Sequence, residues 1–123
     1  MTLRFTVDGA PRPKQSFKVG KAGGYTPARV KAWQNHVSAR AREAIANNDP
    51  ERRFPTANPV GVTMRFYLPD KRRRDLDNLS KAVADGMNGI VYFDDMQVAI
   101  LHLAKSLDKD NPRVDVEVME LDK

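Results

Sequence analysis

Residues 60–68 restrict the fold of this chain more tightly than any other stretch. Val60, Val62, Met64, Phe66 and Leu68 alternate with Gly61, Thr63, Arg65 and Tyr67, the period-two pattern of a strand buried on one face. Such a strand needs neighbours on its edges and a covering layer on its apolar side. The chain supplies both. Leu3, Phe5 and Val7 alternate over residues 2–8, Val114, Val116 and Val118 alternate with Asp115, Glu117 and Met119, and residues 98–107 read as a further strand. Between them lie two helical stripes. Val30, Trp33, Val37, Ala41 and Ile45 recur at helical spacing, with Thr26 as the expected N-cap and Pro27 in the first turn. Leu79, Val83, Met87 and Ile90 form the second stripe, with Asp77 as the expected cap and Gly89 as the C-terminal glycine.

The order β-α-β-α-β-β predicts a two-layer α/β domain: a mixed four-stranded sheet with both helices on one face and water on the other. Residues 60–107 are expected to form a right-handed strand-helix-strand crossover, and the last two strands a hairpin. Residues 9–26 form a Gly-, Pro- and Lys-rich loop, with a short hairpin drawn from Phe17, Val19 and Gly23-Gly24-Tyr25. Asp49 to Pro59, with three prolines, reads as a connecting loop, so residues 1–123 are taken as one domain. Gly86 inside the second helix costs about 1 kcal/mol relative to Ala, unless it permits close packing on the sheet.

Composition narrows the chemistry. With no cysteine among 123 residues, disulfides, thiolate metal sites and cysteine nucleophiles are excluded. His36 and His102 are the two histidines, few for zinc, and both read as packed or partly exposed side chains. The longest apolar run, Ile90-Val91-Tyr92-Phe93, is far short of the ~20 residues of a membrane span, and no secretory signal opens the chain. A cytoplasmic protein is expected. Residues 1–60 carry 11 Lys/Arg against 4 Asp/Glu, whereas residues 61–123 carry 10 against 12. A basic half beside clustered carboxylates suits a protein that holds a polyanion and works on it with a metal.

The carboxylates cluster around Arg72-Arg73-Arg74-Asp75-Leu76-Asp77-Asn78-Leu79-Ser80-Lys81 and at Asp94-Asp95. Asp75 and Asp77 project to one side of an extended segment. Lys81, four residues beyond Asp77, shares its face on a helix. Oxygen ligands alone suit a hard cation, Mg²⁺ or Mn²⁺, and such a site hydrolyses phosphodiesters. A lysine beside it adds charge stabilisation, and neighbouring arginines grip phosphates. The competing reading makes Asp77 a helix cap, leaves Asp75 and Asp94 solvated and assigns Asp85 to a helical salt bridge with Lys81.

The run Arg73-Arg74-Asp75-Leu76-Asp77-Asn78-Leu79-Ser80-Lys81, followed by Asp85, Gly89 and Asp94-Asp95-Met96-Gln97-Val98, resembles the signature of the RusA family of crossover junction endodeoxyribonucleases, or Holliday junction resolvases. The resemblance is strong over residues 60–118 and looser before them, where Gly-Tyr-Thr-Pro-Ala-Arg-Val-Lys-Ala-Trp leads into a helix. It implies that Asp75, Asp77 and Asp95 are metal-binding and catalytic aspartates and that Lys81 is an essential lysine. It also implies a Mg²⁺-dependent homodimer, with Mn²⁺ as substitute, that nicks opposed strands of a four-way DNA junction symmetrically in a bacterial or phage-infected cell. Arg72, Arg73, Arg74, Lys14, Lys18 and Lys21 would then hold the DNA backbone. Three alternatives stand beside this expectation: a junction- or DNA-binding protein without catalysis, a nuclease that also cuts flaps and forks, and an interaction domain unrelated to nucleic acid.

Overall fold

The computed structural model describes residues 2–14, 18–20, 23–25 and 27–122, with backbone alone over 18–20 and 23–25. Strand β1 (Thr2–Asp8) is followed by a small hairpin, β2 (Lys18–Gly20) and β3 (Gly23–Tyr25). Then come α1 (Ala28–Asn48), β4 (Val60–Leu68), α2 (Leu76–Met87), a 3₁₀ turn (Asp95–Gln97), β5 (Val98–Leu107) and β6 (Arg113–Glu120). The hairpin expected from Val19 and Gly23-Gly24-Tyr25 forms, pairing Lys18 with Tyr25 and Gly20 with Gly23. Phe17, also assigned to it, lies outside the described residues, as does the expected cap Thr26.

Four strands make one mixed sheet in the order β1-β6-β4-β5. Strands β4 and β5 run parallel, joined through α2, while β6 is antiparallel to both β1 and β4. The hairpin expected between β5 and β6 therefore does not exist. Geometry explains the correction: the turn after β5 crosses the end of β4, where the Asp108 amide donates to the Leu68 carbonyl at 2.9 Å. The chain thus re-enters the sheet on the far side of β4. Burial agrees, because Val114, Val116 and Val118 are almost wholly buried, as suits an interior strand, whereas most of β5 is exposed.

Val60, Val62, Met64, Phe66 and Leu68 all point into the core with Leu3, Val7 and the β6 valines. The covering layer is α1, through Val30, Trp33, Val37, Ala41 and Ala44, and α2, through Leu79, Ala82, Val83 and Met87. Trp33 is 6% exposed and belongs to this core. The opposite sheet face is polar. Arg4 sits across from Glu117 and Thr6 across from Asp115, and both pairs bond through their side chains, at 3.4 and 2.9 Å.

Two helix starts differ from expectation. Pro27 itself occupies the N-cap of α1 and Ala28 is the first helical residue; proline suits the spot because the cap needs no N–H. In α2 the N-cap is Asp75 and Asp77 lies in the first turn. At the other end Gly89 adopts φ +77°, the left-handed conformation that glycine favours. Gly86 does serve close packing, but against α1 and not the sheet. A Cβ there would come within 2.8 Å of the Gln34 carbonyl oxygen and of the Val37 Cβ. The Ser38 hydroxyl donates to the Gly86 carbonyl at 2.6 Å and fixes the crossing.

Candidate active site

The start of α2 and the turn before β5 bring the predicted residues to one end of the helix layer. A pocket of about 270 Å³ opens there, lined by Asp77, Ser80, Lys81 and Ala84 of α2, Asp95 of the turn, and Val98, Ala99, Leu101 and Met64 of the sheet. Lys81 reaches back one helical turn to Asp77, Nζ to Oδ2 at 3.2 Å, with both side chains more than half exposed. Asp75 stands next door as the α2 N-cap residue but is not among the pocket-lining residues. Its side chain makes no capping hydrogen bond, so capping does not account for its carboxylate.

The Asp94-Asp95 turn is held from several sides. Asp94 is the true cap: its Oδ1 accepts from the Met96 amide at 2.8 Å, while the Gln97 side-chain oxygen accepts from the amides of Phe93 and Asp94, a reciprocal capping box. The Gln97 amide nitrogen donates to the carbonyls of Thr56 and Asn58, at 2.8 and 2.9 Å. One side chain therefore ties the turn to the 54–58 loop. That loop is pinned in turn by Glu120, which accepts from Arg53, Thr56 and Asn58. Below the turn, Tyr92 is fully buried and its hydroxyl donates to the Ala84 carbonyl at 3.0 Å. With Asp94 engaged in the cap, Asp95 is the member of the pair that faces the pocket.

Electrostatics mark the same spot. The Asp95 carboxyl is pushed above the ordinary carboxylate range, first by desolvation, then by Asp94 and by the Asp85 carboxylate, while Lys14 pulls the other way. Burial, and then the charges of Asp95, Asp85 and Asp94, also push the Tyr92 hydroxyl far up. Carboxylates that repel one another in this way fit a hard cation among oxygen donors. Asp77 and Asp95 bring carboxylate oxygens to one pocket from two elements. Among the described residues, however, no three His, Cys, Asp or Glu side chains already surround a common point.

The predicted DNA contacts divide. Arg72 and Arg73 are exposed beside the pocket's helix. Arg74 is only 14% exposed and spends its guanidinium on Asp70, at 2.8 Å, where it anchors the approach to α2. Lys14 is turned onto α2, its ammonium 2.6 Å from Asp85 and its backbone amide on the Asn78 carbonyl. Asp85 thus pairs with Lys14 and not with Lys81, the helical partner that spacing suggested. The Lys18 side chain and Lys21 lie outside the described residues. Sequence reading missed Gln97 as the strut of the Asp95 turn, although the residue stands in the quoted run; its partners Thr56 and Asn58 lie about 40 residues away. Neither histidine approaches the pocket: His36 bonds to Asp8 through Nε2, and His102 lies on exposed β5.

Comparison with known proteins points to one family. The family model described as endodeoxyribonuclease RusA matches residues 8–119. An uncharacterized protein YqaN of Bacillus subtilis (strain 168) is 28% identical, with 97% of this chain and 96% of the relative covered. The crossover junction endodeoxyribonuclease RusA of Escherichia coli (strain K12) is 25% identical over 98% of this chain and 96% of its own. That of Enterobacteria phage 82 is 24% identical over the same shares.

Proposed function

The chain belongs to the endodeoxyribonuclease RusA family, and from that premise we propose that it is a Mg²⁺-dependent, structure-selective endonuclease that resolves four-way DNA junctions by paired symmetric nicks. The observation that carries the reading is the pocket where Asp77 and Lys81 of α2 meet Asp95. The capping alternative weakens on the same grounds: Asp94 is spent on a cap, while Asp75 and Asp77 are not.

In this reading Asp77 and Asp95 hold the cation from two elements, with Asp75 as the third ligand at the α2 start. Mn²⁺ would substitute. When bound, the cation supplies Lewis-acid activation of the scissile phosphate and lowers the pKa of a water molecule. The chain's own groups position the DNA. Exposed Arg72 and Arg73 grip flanking phosphates. Lys81 keeps a mobile positive charge at the rim, held by Asp77 until the phosphoryl oxygens gather negative charge. Gln97 fixes the depth at which the Asp95 carboxylate meets the backbone.

Symmetric nicking needs two sites, so the reading includes a homodimer acting on a two-fold junction inside a bacterial or phage-infected cell. Support comes from β5, which among the described residues pairs on one edge only and leaves Ile100, Leu101 and Leu107 about half exposed. Among the described residues no helix is long and apolar enough to cross a membrane.

The test is a labelled four-way junction beside matched duplex, flap and fork substrates, incubated in Mg²⁺, Ca²⁺ or EDTA. Paired nicks in the junction alone, in Mg²⁺ alone, are expected. Asp77→Asn should lower cleavage at least a thousandfold while junction affinity stays within about threefold. Equal cutting of flaps and forks would mean a nuclease of broader taste, and cleavage by Asp77→Asn at the wild-type rate would remove Asp77 from the site.

A further inference from the structure

We infer that Lys14 is the resident counter-ion of the acidic site: its ammonium, docked on Asp85, neutralises charge at the flank of the pocket and so sets how tightly the site takes a divalent cation. The inference rests on the proposed function only in treating Asp77 and Asp95 as the cation-binding carboxylates.

Three elements converge on Asp85. The carboxylate receives the Lys14 ammonium at 2.6 Å from the N-terminal segment and the Gln34 side-chain amide at 3.4 Å from α1. Asp85 itself belongs to α2, two turns beyond Asp77. The docking has a second point along the chain, because the Lys14 amide also donates to the carbonyl of Asn78, the residue after Asp77, at 2.9 Å. The pair is sheltered, with side chains 40% and 25% exposed, so water screens it less than a surface ion pair. It also lies at the site: Asp85 directly follows Ala84, which lines the pocket together with Asp77 and Asp95.

A lysine recruited simply to grip phosphate would leave its ammonium toward solvent. Lys14 instead spends it on a carboxylate that neighbours the cation pocket. Removing the lysine leaves Asp85 as an added negative charge, which attracts a divalent cation. Removing the carboxylate leaves the lysine as an added positive charge, which repels it. Removing both restores the original balance. The pair therefore trades cation affinity for a cluster that stays folded and close-packed without metal.

The experiment measures Mn²⁺ binding to the DNA-free protein by electron paramagnetic resonance, at fixed pH and low salt. Lys14→Met should bind Mn²⁺ about fivefold more tightly than wild type and Asp85→Asn about fivefold more weakly. Lys14→Arg and the double variant Lys14→Met/Asp85→Asn should both stay within twofold of wild type. Lys14→Gln repeats the first arm should Met disturb packing, with circular dichroism confirming that each variant folds. The Mg²⁺ concentration for half-maximal junction cleavage should move in the same order.

Equal affinities across the series would overturn the inference, as would a wild type that binds no Mn²⁺. So would weak binding by both Asp85→Asn and the double variant, which would make Asp85 a ligand. Unchanged Mn²⁺ binding with weakened junction binding in Lys14→Met would return Lys14 to phosphate gripping. If the charge ladder appears but wild type never cuts a junction, the functional reading fails and the counter-ion stands.

Discussion

Glu120 shows how a single residue outside the pocket supports it. Its side chain is 5% exposed. Burial alone would raise its carboxyl, but hydrogen bonds from Thr56, Arg53 and Asn58 outweigh that and hold it below the usual glutamate range. A depressed folded-state pKa contributes stability that is complete above the unfolded value of 4.5 and is lost as pH falls through the folded value. Glu120→Gln should therefore destabilise the protein by about 1–3 kcal/mol at pH 7. Because the variant lacks this titration, the gap should shrink as pH falls below about 4.5. Urea unfolding at pH 7 and pH 3.5 measures both; a gap that widens on acidification would refute the assignment. The residue scale is also where the sequence was hardest to read. Spacing selected Asp75, Asp77 and Lys81, the family resemblance selected Asp95 from the Asp94-Asp95 pair, and three of the four line one pocket. It could not pair Lys14 with Asp85 across 71 residues, nor find Gln97's carbonyl partners, because such contacts depend on loops whose paths no local pattern encodes.

Among the elements, α1 and α2 are the pair on which site geometry depends, and their crossing point is Gly86. The Gln34 backbone and the Val37 side chain fill the space a side chain would need. Gly86→Ala would gain about 1 kcal/mol in helix propensity. It would also force α2 away from α1, at a cost of roughly 1–3 kcal/mol. The clash is partly with backbone, so the cost should win. A net fall in melting temperature of a few degrees is expected, and a more stable Gly86→Ala would show that the helices can separate freely. Alternation located β1, β4 and β6, and helical stripes located α1 and α2, because each has one face in the core. The error lay in pairing. A five-residue turn from 108 to 112 reads equally well as a hairpin or as a passage over β4, and only burial of the whole sheet decides between them. Local patterning likewise offered Asp77 as the cap, whereas the N-cap of α2 lies two residues earlier, at Asp75.

At the scale of the whole molecule, β1 and β5 are the two edge strands of the sheet. α1 packs against β1, whereas β5 is largely exposed and, among the described residues, pairs only with β4, with Ile100 exposed beside Gly61. If the two copies meet along β5, Ile100→Lys should weaken the dimer at least tenfold in sedimentation equilibrium without unfolding the protomer. A dimer of unchanged affinity would place the contact elsewhere. The order β1-β6-β4-β5 has another consequence, which concerns synthesis. The strand between the first edge and the centre is the last one translated, so a ribosome that has released residue 107 has produced two sheet fragments, β1 alone and β4 with β5. Until Arg113–Glu120 emerges, the valines of β4 have an unpaired edge and α1 has no continuous floor to lie on. Every residue that lines the acidic pocket is translated before the strand that closes the sheet.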